Sequence, residues 1–494
     1  MKTRNFIISV LITLSTLVLY AQDGQLDTSF GNGGYVQTDF FGFTDWGFAI
    51  ALQNDNAIVA VGSAETSLDD YVPALIRYLP DGSVDTSFGV NGIVTTEFNS
   101  QVIDYYSDVV IQDDQKIIAG GHFGDFNDQN IMLSRYQPNG DLDASFGTAG
   151  IVVTDIGDNR FGTMVIQDDG KILVGGTSEP QSQQEIMLVR YLTDGSFDPS
   201  FGNNGVVITD VPSSSTNVTR IVVLDDGKIL LGASTSGIFK IFKYNVDGSP
   251  DTSFGTDGVI STGFTDNAGS FDITSEGKIF VAVGNCANDE CQSYLLTYLE
   301  DGTLDTTIGN NGVVTITIPD FSAGTVLMQE NQRVLVLGFV PDFFEGGETV
   351  LTRYWLNGGL DTSFSNDGQI RWWNFLGTDL LLQNDGKILH FGYTWWYDGD
   401  EDFYMMRYEN DPLGVQDQNL NSLKVYPNPS IGVFSIVFEN NFESTLPFQV
   451  TDITGKVIQE GAFIDTRSSL DLSTAQSGLY FLHVNNSSIR LVKE

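Results

Sequence analysis

The chain has 494 residues, of which 41% are hydrophobic and 12% aromatic, and it contains 53 glycines but only 13 prolines. This composition is typical of a folded, turn-rich protein long enough for more than one domain, and it excludes a disordered or collagen-like chain. The net charge of −41 excludes nucleic acids and anionic membrane surfaces as natural partners. The acidity fits either solubility in salty surroundings or the binding of cations and cationic partners.

The N-terminus has the pattern of a secretory signal peptide covering residues 1–21. Lys2 and Arg4 precede a mostly apolar stretch, and Ala21 offers the small side chain expected before a cleavage site. The stretch is short for a helix that crosses about 30 Å of hydrocarbon. We therefore expect cleavage after Ala21 and a mature chain without a transmembrane segment.

One unit recurs seven times between residues 22 and 408. Its most regular part is a line of the type Asp-Thr-Ser-Phe-Gly, and the interval between copies is 53 to 58 residues. The line begins at Asp27, Asp85, Asp143, Asp198, Asp251, Asp305 and Asp361.

Each copy contains four strand-like runs, which in the third copy are 150–154, 163–167, 171–175 and 186–191. The Asp-Asp-Gly sequence between the second and third runs favours a tight hairpin turn, so neighbouring strands are antiparallel. Four antiparallel strands repeated seven times predict an all-β fold, a seven-bladed β-propeller. A parallel β-solenoid fits the hairpin turns less well. We expect the first run of each copy to be the innermost strand, while a closure in which the N-terminal run completes the last blade stays open.

The recurring Leu-Asp-x-Ser-Phe-Gly-x-x-Gly line resembles delta-60 repeats, which are known mainly from bacterial surface and secreted proteins. The resemblance covers roughly residues 23–408, with Ile308 replacing the phenylalanine of copy six and Ser365 the glycine of copy seven. It implies a surface or secreted protein and brings no established activity.

The chain has two cysteines, Cys286 and Cys291. In an exported protein this spacing favours a local disulfide. A metal site would need further ligands, and no histidine lies nearby in the sequence.

The repeat pattern stops at residue 408, and 409–419 is a polar linker. Residues 420–494 hold about seven short strand-like runs separated by turn signals, which predicts a small antiparallel, Ig-like β-sandwich.

The motifs of this last region resemble the type A sorting domain of the type IX secretion system of Bacteroidetes. The matching positions include Tyr426, Pro427, Asn428, Pro429, Gly455 and Gly478. The resemblance implies export through the periplasm and across the outer membrane, contact with the type IX secretion machinery, removal of the domain, and often attachment to surface lipopolysaccharide. The alternative is a plain Ig-like binding module.

Two groups of residues are candidates for a ligand site in the repeats. The first run of each copy is followed by an acid in four cases, Asp39, Glu97, Asp155 and Asp210. If that run is innermost, the acids surround one mouth of the channel, where their carboxylates suit Ca²⁺. The alternative is four solvated acids too far apart to share an ion.

The other group is aromatic and consists of Trp373, Trp395, Trp396 and Tyr397. Exposed aromatic rings beside carboxylates suit sugar rings, because the flat apolar face stacks and the acids accept hydroxyl hydrogen bonds. The alternative is that these rings seal the last blade against the first.

No sequence motif marks a catalytic centre. The three histidines, His122, His390 and His483, belong to no nucleophile or metal motif. Residues that do not repeat are concentrated in the loops between the first and second runs and between the third and fourth runs. The sequence therefore predicts a secreted or cell-surface binding or adhesion module for a glycan or protein ligand, without catalytic residues or cofactor beyond a Ca²⁺ ion. The alternatives are a polysaccharide-active glycosidase or lyase, or a purely structural surface protein.

Overall fold

The structure is a computed structural model. It describes residues 23–67, 70–98, 104–125, 128–157, 159–179, 183–211, 213, 215–265, 269–287, 290–329, 332–342, 346–394, 401–410, 423–438, 446–452, 456–463, 467–484 and 487–493. The chain divides into two compact units, Met1–Asn410 and Asp411–Glu494. Across the described ranges, no helix is long and apolar enough to span a membrane.

The first unit is built from short antiparallel hairpins, and the third copy shows why they form. Asp168, Asp169 and Gly170 connect two strands that pair from Asn159↔Ser178 to Ile166↔Ile172. Gly170 adopts a φ of 80°, which glycine reaches without steric cost. Its N–H donates to the carbonyl of Gln167 at 2.8 Å and closes the turn.

These hairpins assemble into seven four-stranded antiparallel sheets, which confirms the predicted all-β propeller. One strand, β1 (Tyr35–Thr38), precedes the first blade. The blades are β2 (Asp45–Leu52), β3 (Ile58–Ser67), β4 (Asp70–Tyr78), β5 (Ile93–Thr95); β6 (Tyr105–Ile111), β7 (Ile117–Asp125), β8 (Asp128–Tyr136), β9 (Ile151–Thr154); β10 (Asn159–Ile166), β11 (Ile172–Ser178), β12 (Glu185–Tyr191), β13 (Val206–Thr209); β14 (Thr216–Val223), β15 (Ile229–Thr235), β16 (Ile238–Tyr244), β17 (Val259–Thr265); β18 (Ser270–Ile273), β19 (Ile279–Ala287), β20 (Glu290–Tyr298), β21 (Val313–Ile316); β22 (Ser322–Gln329), β23 (Arg333–Asp342), β24 (Gly346–Trp355), β25 (Gln369–Trp373); and β26 (Phe375–Leu382), β27 (Ile388–Thr394), β28 (Phe403–Tyr408) with β1. A short 3-10 helix covers Phe364–Asn366.

The blades are offset by one strand from the sequence repeats, so the prediction that the first run of each copy is innermost is wrong. That run pairs with the last strand of the preceding copy and becomes the outermost strand, as β9 does on β8. The innermost strands are β2, β6, β10, β14, β18, β22 and β26, which contact one another in turn around a closed ring.

The ring closes through the N-terminal strand, which resolves the question that the sequence left open. Strand β1 pairs with β28 from Tyr35↔Met406 to Thr38↔Phe403 and completes blade 7. The preceding segment strengthens this seam, because Gly24 N–H donates to the carbonyl of Glu409 at 2.7 Å. The first and last repeats are thereby joined without a covalent link.

The hydrophobic core lies between neighbouring blades. Phe146, for example, packs among Ile131 and Leu133 of blade 2 and Val174 and Met187 of blade 3. The repeated phenylalanines are buried at equivalent places and are at most 1% exposed; they are Phe30, Phe88, Phe146, Phe201, Phe254 and Phe364.

The propeller has two faces. The turn face carries the Asp-Gly hairpins and the Asp-x-Ser-Phe lines, represented in blade 3 by residues 167–171 and 192–205. The loop face carries the other two kinds of connection, which in blade 3 follow β11 and β13.

The second unit contains two antiparallel sheets. One has the order β29 (Leu423–Tyr426), β30 (Val433–Phe438), β33 (Arg467–Asp471), and the other β32 (Val457–Phe463), β31 (Leu446–Asp452), β34 (Gly478–Val484), β35 (Ser487–Lys493). Phe434 and Ile436 of the first sheet and Leu482 and Leu491 of the second belong to one buried cluster. This is a small β-sandwich.

Candidate functional site

On the turn face, the repeated aspartates are occupied by structural contacts. Asp143 accepts hydrogen bonds from the backbone N–H and hydroxyl of Ser145 at 3.1 and 2.7 Å. Its other oxygen lies 2.8 Å from Arg135 Nε and 3.3 Å from Lys116 Nζ. Although burial raises the pKa of this carboxyl, the Ser145 hydrogen bonds and both cations lower it to about 2. The Arg135 guanidinium also covers the ring of Phe146 at 4.6 Å.

The same pairing of an arginine with the repeated aspartate recurs in five copies around the ring. The pairs are Arg77–Asp85, Arg135–Asp143, Arg190–Asp198, Arg353–Asp361 and Arg407–Asp27. In the other two copies Lys228 and Lys278 contact Asp251 and Asp305 instead. Because the repeated acids hold local turns in all seven copies, they are poor candidates for a single ligand site.

The offset of the blades moves the predicted ring of acids away from the channel. Asp39, Glu97, Asp155 and Asp210 follow outermost strands and are exposed at the outer part of the loop face. Their placement at the channel mouth was therefore wrong. Asp39 alone of the four has a carboxylate oxygen within 4.8 Å of those of two other acids, Asp45 and Asp402.

The aromatic group is only partly described. Trp373 ends the outermost strand of blade 6, opposite Glu348, and is 55% exposed. Trp372 points the other way and packs against the core. Trp395, Trp396 and Tyr397 lie outside the described residues.

The channel wall carries acids that the sequence analysis missed. Asp108 accepts the N–H of Met164, and Asp379 that of Ile50, at 2.8 and 2.9 Å. Each carboxylate thus satisfies a backbone N–H on the free edge of the innermost strand of the next blade. Burial raises the pKa of Asp379 to about 7. These acids follow a β-bulge in their strands, a position that the hydrophobic pattern of the sequence does not mark.

The loop face contains a cavity of about 280 Å³ between blades 2, 3 and 4. Its lining includes His122, Arg160, Thr177, Gln184 and Thr216. Grooves on the turn face are larger, about 790 Å³ between blades 2 and 3, but repeated turn residues line them. The loop-face cavity is different because its lining comes from positions where the copies diverge.

His122 lines this cavity with a mostly buried imidazole. It is 8% exposed, and its Nδ1 atom has no hydrogen-bond partner among the described residues. Burial, with a smaller contribution from the charge of Arg160, lowers its pKa to about 4, so the imidazole is neutral at physiological pH. The ring of Tyr105 lies 4.9 Å away, between centroids.

Arg160 gives the cavity a positive charge in a very acidic protein. Its side chain is exposed, and its charge partly offsets the burial that raises the pKa of Tyr105. An exposed guanidinium beside a neutral imidazole suits a ligand that carries hydroxyl groups and a negative charge.

The other two histidines are structural. His390 is fully buried against Phe375 at 4.7 Å, and burial lowers its pKa to about 3. His483 lies in the second unit, where its Nε2 is 2.9 Å from the hydroxyl of Thr451.

The cysteine pair lies on the loop face of blade 5. Cys286 and Cys291 are directly opposite each other across strands β19 and β20. Cys291 is disulfide-bonded.

In the second unit, the Tyr-Pro-Asn-Pro segment is exposed but anchored. Tyr426 is 52% exposed, and Pro427, Asn428 and Pro429 are also exposed. The side-chain amide of Asn428 donates to the carbonyl of Arg490 at 2.6 Å and accepts from Val492 N–H at 2.8 Å, which fixes the segment to the last strand. Gly478 begins β34, and Gly455 lies outside the described residues.

Two family models match the chain. The Secretion system C-terminal sorting domain matches residues 424–494. The Domain of unknown function (DUF5122) beta-propeller matches residues 53–88, 112–146, 167–201, 224–254 and 383–411. No curated protein matches the sequence.

Solved structures resemble the chain at low sequence identity. Polysaccharide lyase Uly1 is 12% identical, with 74% of this chain and 90% of that chain covered and a TM-score of 0.47. Drosophila Semaphorin 2a is 8% identical, with coverages of 96% and 98% and a TM-score of 0.45. A virginiamycin B lyase from Staphylococcus aureus is 8% identical, with coverages of 75% and 98% and a TM-score of 0.41.

Proposed function

Because the chain is a DUF5122 β-propeller protein with a secretion system C-terminal sorting domain, we propose that its propeller is a binding module for acidic glycans. The sorting domain implies a secreted or cell-surface protein that interacts with the type IX secretion machinery. Glycans that carry carboxylate or sulfate groups are ligands that such a protein meets outside the cell.

The observation that carries this proposal is the loop-face cavity around Arg160. A protein with a net charge of −41 repels acidic polymers, so binding one requires a local cation placed where the ligand enters. Arg160 supplies that cation, and the guanidinium geometry matches a carboxylate or sulfate with two parallel hydrogen bonds. The imidazole of His122 and the side chain of Gln184 line the same cavity.

Binding to an array of neutral, uronate-bearing and sulfated glycans tests the proposal with the purified full-length chain. We expect the wild type to bind acidic glycans and Arg160→Ala to lose roughly tenfold or more in affinity, because a hydrogen bond to a charged group contributes about 1.5–3 kcal/mol. Arg467→Ala removes an exposed arginine of the second unit and should bind as the wild type does. Wild-type protein that binds no acidic glycan, or an unchanged affinity in Arg160→Ala, would overturn the proposal.

The same residues favour one enzymatic alternative, the β-elimination of a uronate-containing polysaccharide. Arg160 would neutralise the uronate carboxylate and so acidify the C5 proton. Neutral His122 would accept that proton while the C4–O bond breaks and a C4=C5 double bond forms, and water would give a proton to the leaving oxygen. Incubating the acidic glycans that bind with wild-type protein and with His122→Ala separates the two functions. Ultraviolet absorbance of an unsaturated product that depends on His122 would replace the binding proposal with the lyase.

A further inference from the structure

The seam at which the ring closes contains three acids from three different segments. Asp39 follows the closing strand β1, Asp45 begins the innermost strand of blade 1, and Asp402 immediately precedes β28 of blade 7. One carboxylate oxygen from each lies within 4.8 Å of the others, and no other such group of three occurs in the described part of the chain.

Asp45 is an unusual residue in this group because it is completely buried and only half satisfied. One of its oxygens accepts the N–H of Phe40 at 2.7 Å. The other, Oδ1, is buried and has no hydrogen-bond partner among the described residues. A buried carboxylate oxygen without a partner costs free energy unless a proton or a cation satisfies it. Burial and the neighbouring carboxylates of Asp39 and Asp402 raise the pKa of Asp45 to about 8.

The equivalent positions of the next blade junctions show that the repeat does not require three acids. The innermost strands of blades 1 to 4 have a bulge at the same place, and the strand pairings show which residue of each blade lies at the same distance from that bulge as Asp45 and Asp402 do. The three positions are Glu97, Asp104 and Val72 at the junction of blades 1 and 2; Asp155, Asn159 and Asn130 at blades 2 and 3; and Asp210, Thr216 and Glu185 at blades 3 and 4. The third carboxylate is therefore present at the closing junction and missing from these three.

We propose that Asp39, Asp45 and Asp402 bind a Ca²⁺ ion that ties the closing strand to blades 1 and 7. Carboxylate oxygens are the preferred ligands of hard cations, and backbone carbonyls or water complete the usual six to eight positions of Ca²⁺. Oxygens on opposite sides of one Ca²⁺ are roughly 4.6–5.2 Å apart, against roughly 4.0–4.2 Å for Mg²⁺. The three oxygens lie within 4.8 Å of one another, close enough to share one Ca²⁺. Mg²⁺ is disfavoured because it demands near-ideal octahedral geometry and gives up its water reluctantly.

Calorimetry on the full-length chain, stripped with EGTA, tests the site directly. We expect CaCl₂ to bind with a stoichiometry of one and to raise the melting temperature by roughly 2 °C or more at ten times Kd, with no matching effect of MgCl₂. Asp45→Asn should lose both the binding and the Ca²⁺-dependent rise, while its melting temperature in EGTA stays at or above that of the wild type. That last result follows because asparagine replaces a carboxyl that is buried at a cost.

Asp155→Asn is the matched control, since Asp155 occupies the position of Asp39 at a junction without three acids. It should bind Ca²⁺ as the wild type does, and the exposed variant Asp39→Asn serves if Asp45→Asn does not fold. Wild-type protein without stoichiometric Ca²⁺ binding at millimolar concentration, or an Asp45→Asn or Asp39→Asn variant that binds as tightly as the wild type, would overturn the site. Neither result bears on glycan binding through Arg160.

Discussion

The turn face and the loop face of the propeller use charge in opposite ways. On the turn face, each repeated aspartate is held by a serine or threonine and by one or more cations, as Asp143 is held by Ser145, Arg135 and Lys116. On the loop face, Asp45 and His122 are buried with polar atoms that the described residues leave unsatisfied. A position that must work in every blade is selected for local structure, whereas a position that works once is free to keep a group available for a ligand.

The largest expected effect lies beneath the turn face. Phe146 is fully buried between blades 2 and 3, and Phe146→Ala leaves a cavity that should lower the free energy of unfolding by about 3–5 kcal/mol. Chemical denaturation measures this loss. Phe197→Ala, at a ring that is 42% exposed on the same face, is the control and should cost far less. Similar losses in both variants would mean that the repeated ring does not anchor the blades.

A smaller effect is expected when one charge of the turn face is removed. Asp198 is 2.9 Å from Arg190 Nε and accepts two hydrogen bonds from Ser200. Asp198→Asn should cost about 1.5–3 kcal/mol, because hydrogen bonds to a charged group are lost within a mostly buried site. Asp210→Asn, which changes an exposed acid of the loop face, should stay within about 0.5 kcal/mol. If chemical denaturation gave equal losses of unfolding free energy for Asp198→Asn and Asp210→Asn, the difference between the faces would be contradicted.

Stability should depend on pH in opposite ways for the acids with lowered pKa values and for those with raised pKa values. These effects are the smallest and most gradual of those expected. Lys278 and Thr307 lower the pKa of Asp305 on the turn face from 3.8 to about 2. The stability that Asp305 contributes is present above its unfolded pKa and is lost as the pH falls from about 4 to 2. Burial raises the pKa values of Asp379 and Asp45 to about 7 and 8. Their effect is the reverse, since the folded state binds the proton more tightly and stability falls as the pH rises from about 4 to 8.

Melting temperatures between pH 2 and 9, recorded in EGTA, test both expected losses of stability, the one below pH 4 and the one between pH 4 and 8. Asp305→Asn should reduce only the loss of stability at acid pH, and Asp379→Asn, which keeps an acceptor for Ile50 N–H, should reduce only the loss between pH 4 and 8. Stability that is constant from pH 4 to 8 in the wild type would show that the buried acids do not carry the predicted protons.

The repeated features of the fold were predictable from the sequence because their signals are local. The Asp-Asp-Gly turn at 168–170 predicts a hairpin wherever it stands, and the recurrence of Phe146 and Asp143 at a fixed interval predicts equivalent packing and pairing. Each of these residues forms its main contacts within its own copy or the preceding one.

The assignment of the innermost strand failed for a physical reason. A periodic sequence looks the same wherever its repeat is taken to begin, so it does not reveal that β9 pairs back onto β8 and not forward onto β10. All four residues of β13 are half-buried or exposed, which indicates an outermost strand because such a strand packs less than an inner one. The cavity and the seam acids were missed because residues such as Arg160 and Gln184, or Asp39 and Asp402, are brought together only by tertiary structure.

The closing strand also gives the ring a preferred order of assembly. Pairing Tyr35 with Met406 closes a loop that spans nearly the whole propeller, at an entropic cost about 3 kcal/mol above that of a hairpin within one blade. Blades 1 to 6 form from contiguous sequence, whereas blade 7 waits for both termini of the propeller, so the seam is the last contact to form during folding. By the same reasoning it is the first to open, and each opening exposes the edge of β28 to proteases and to other unpaired strands. The rate at which β1 dissociates from β28 therefore sets the lifetime of the native protein in its surroundings.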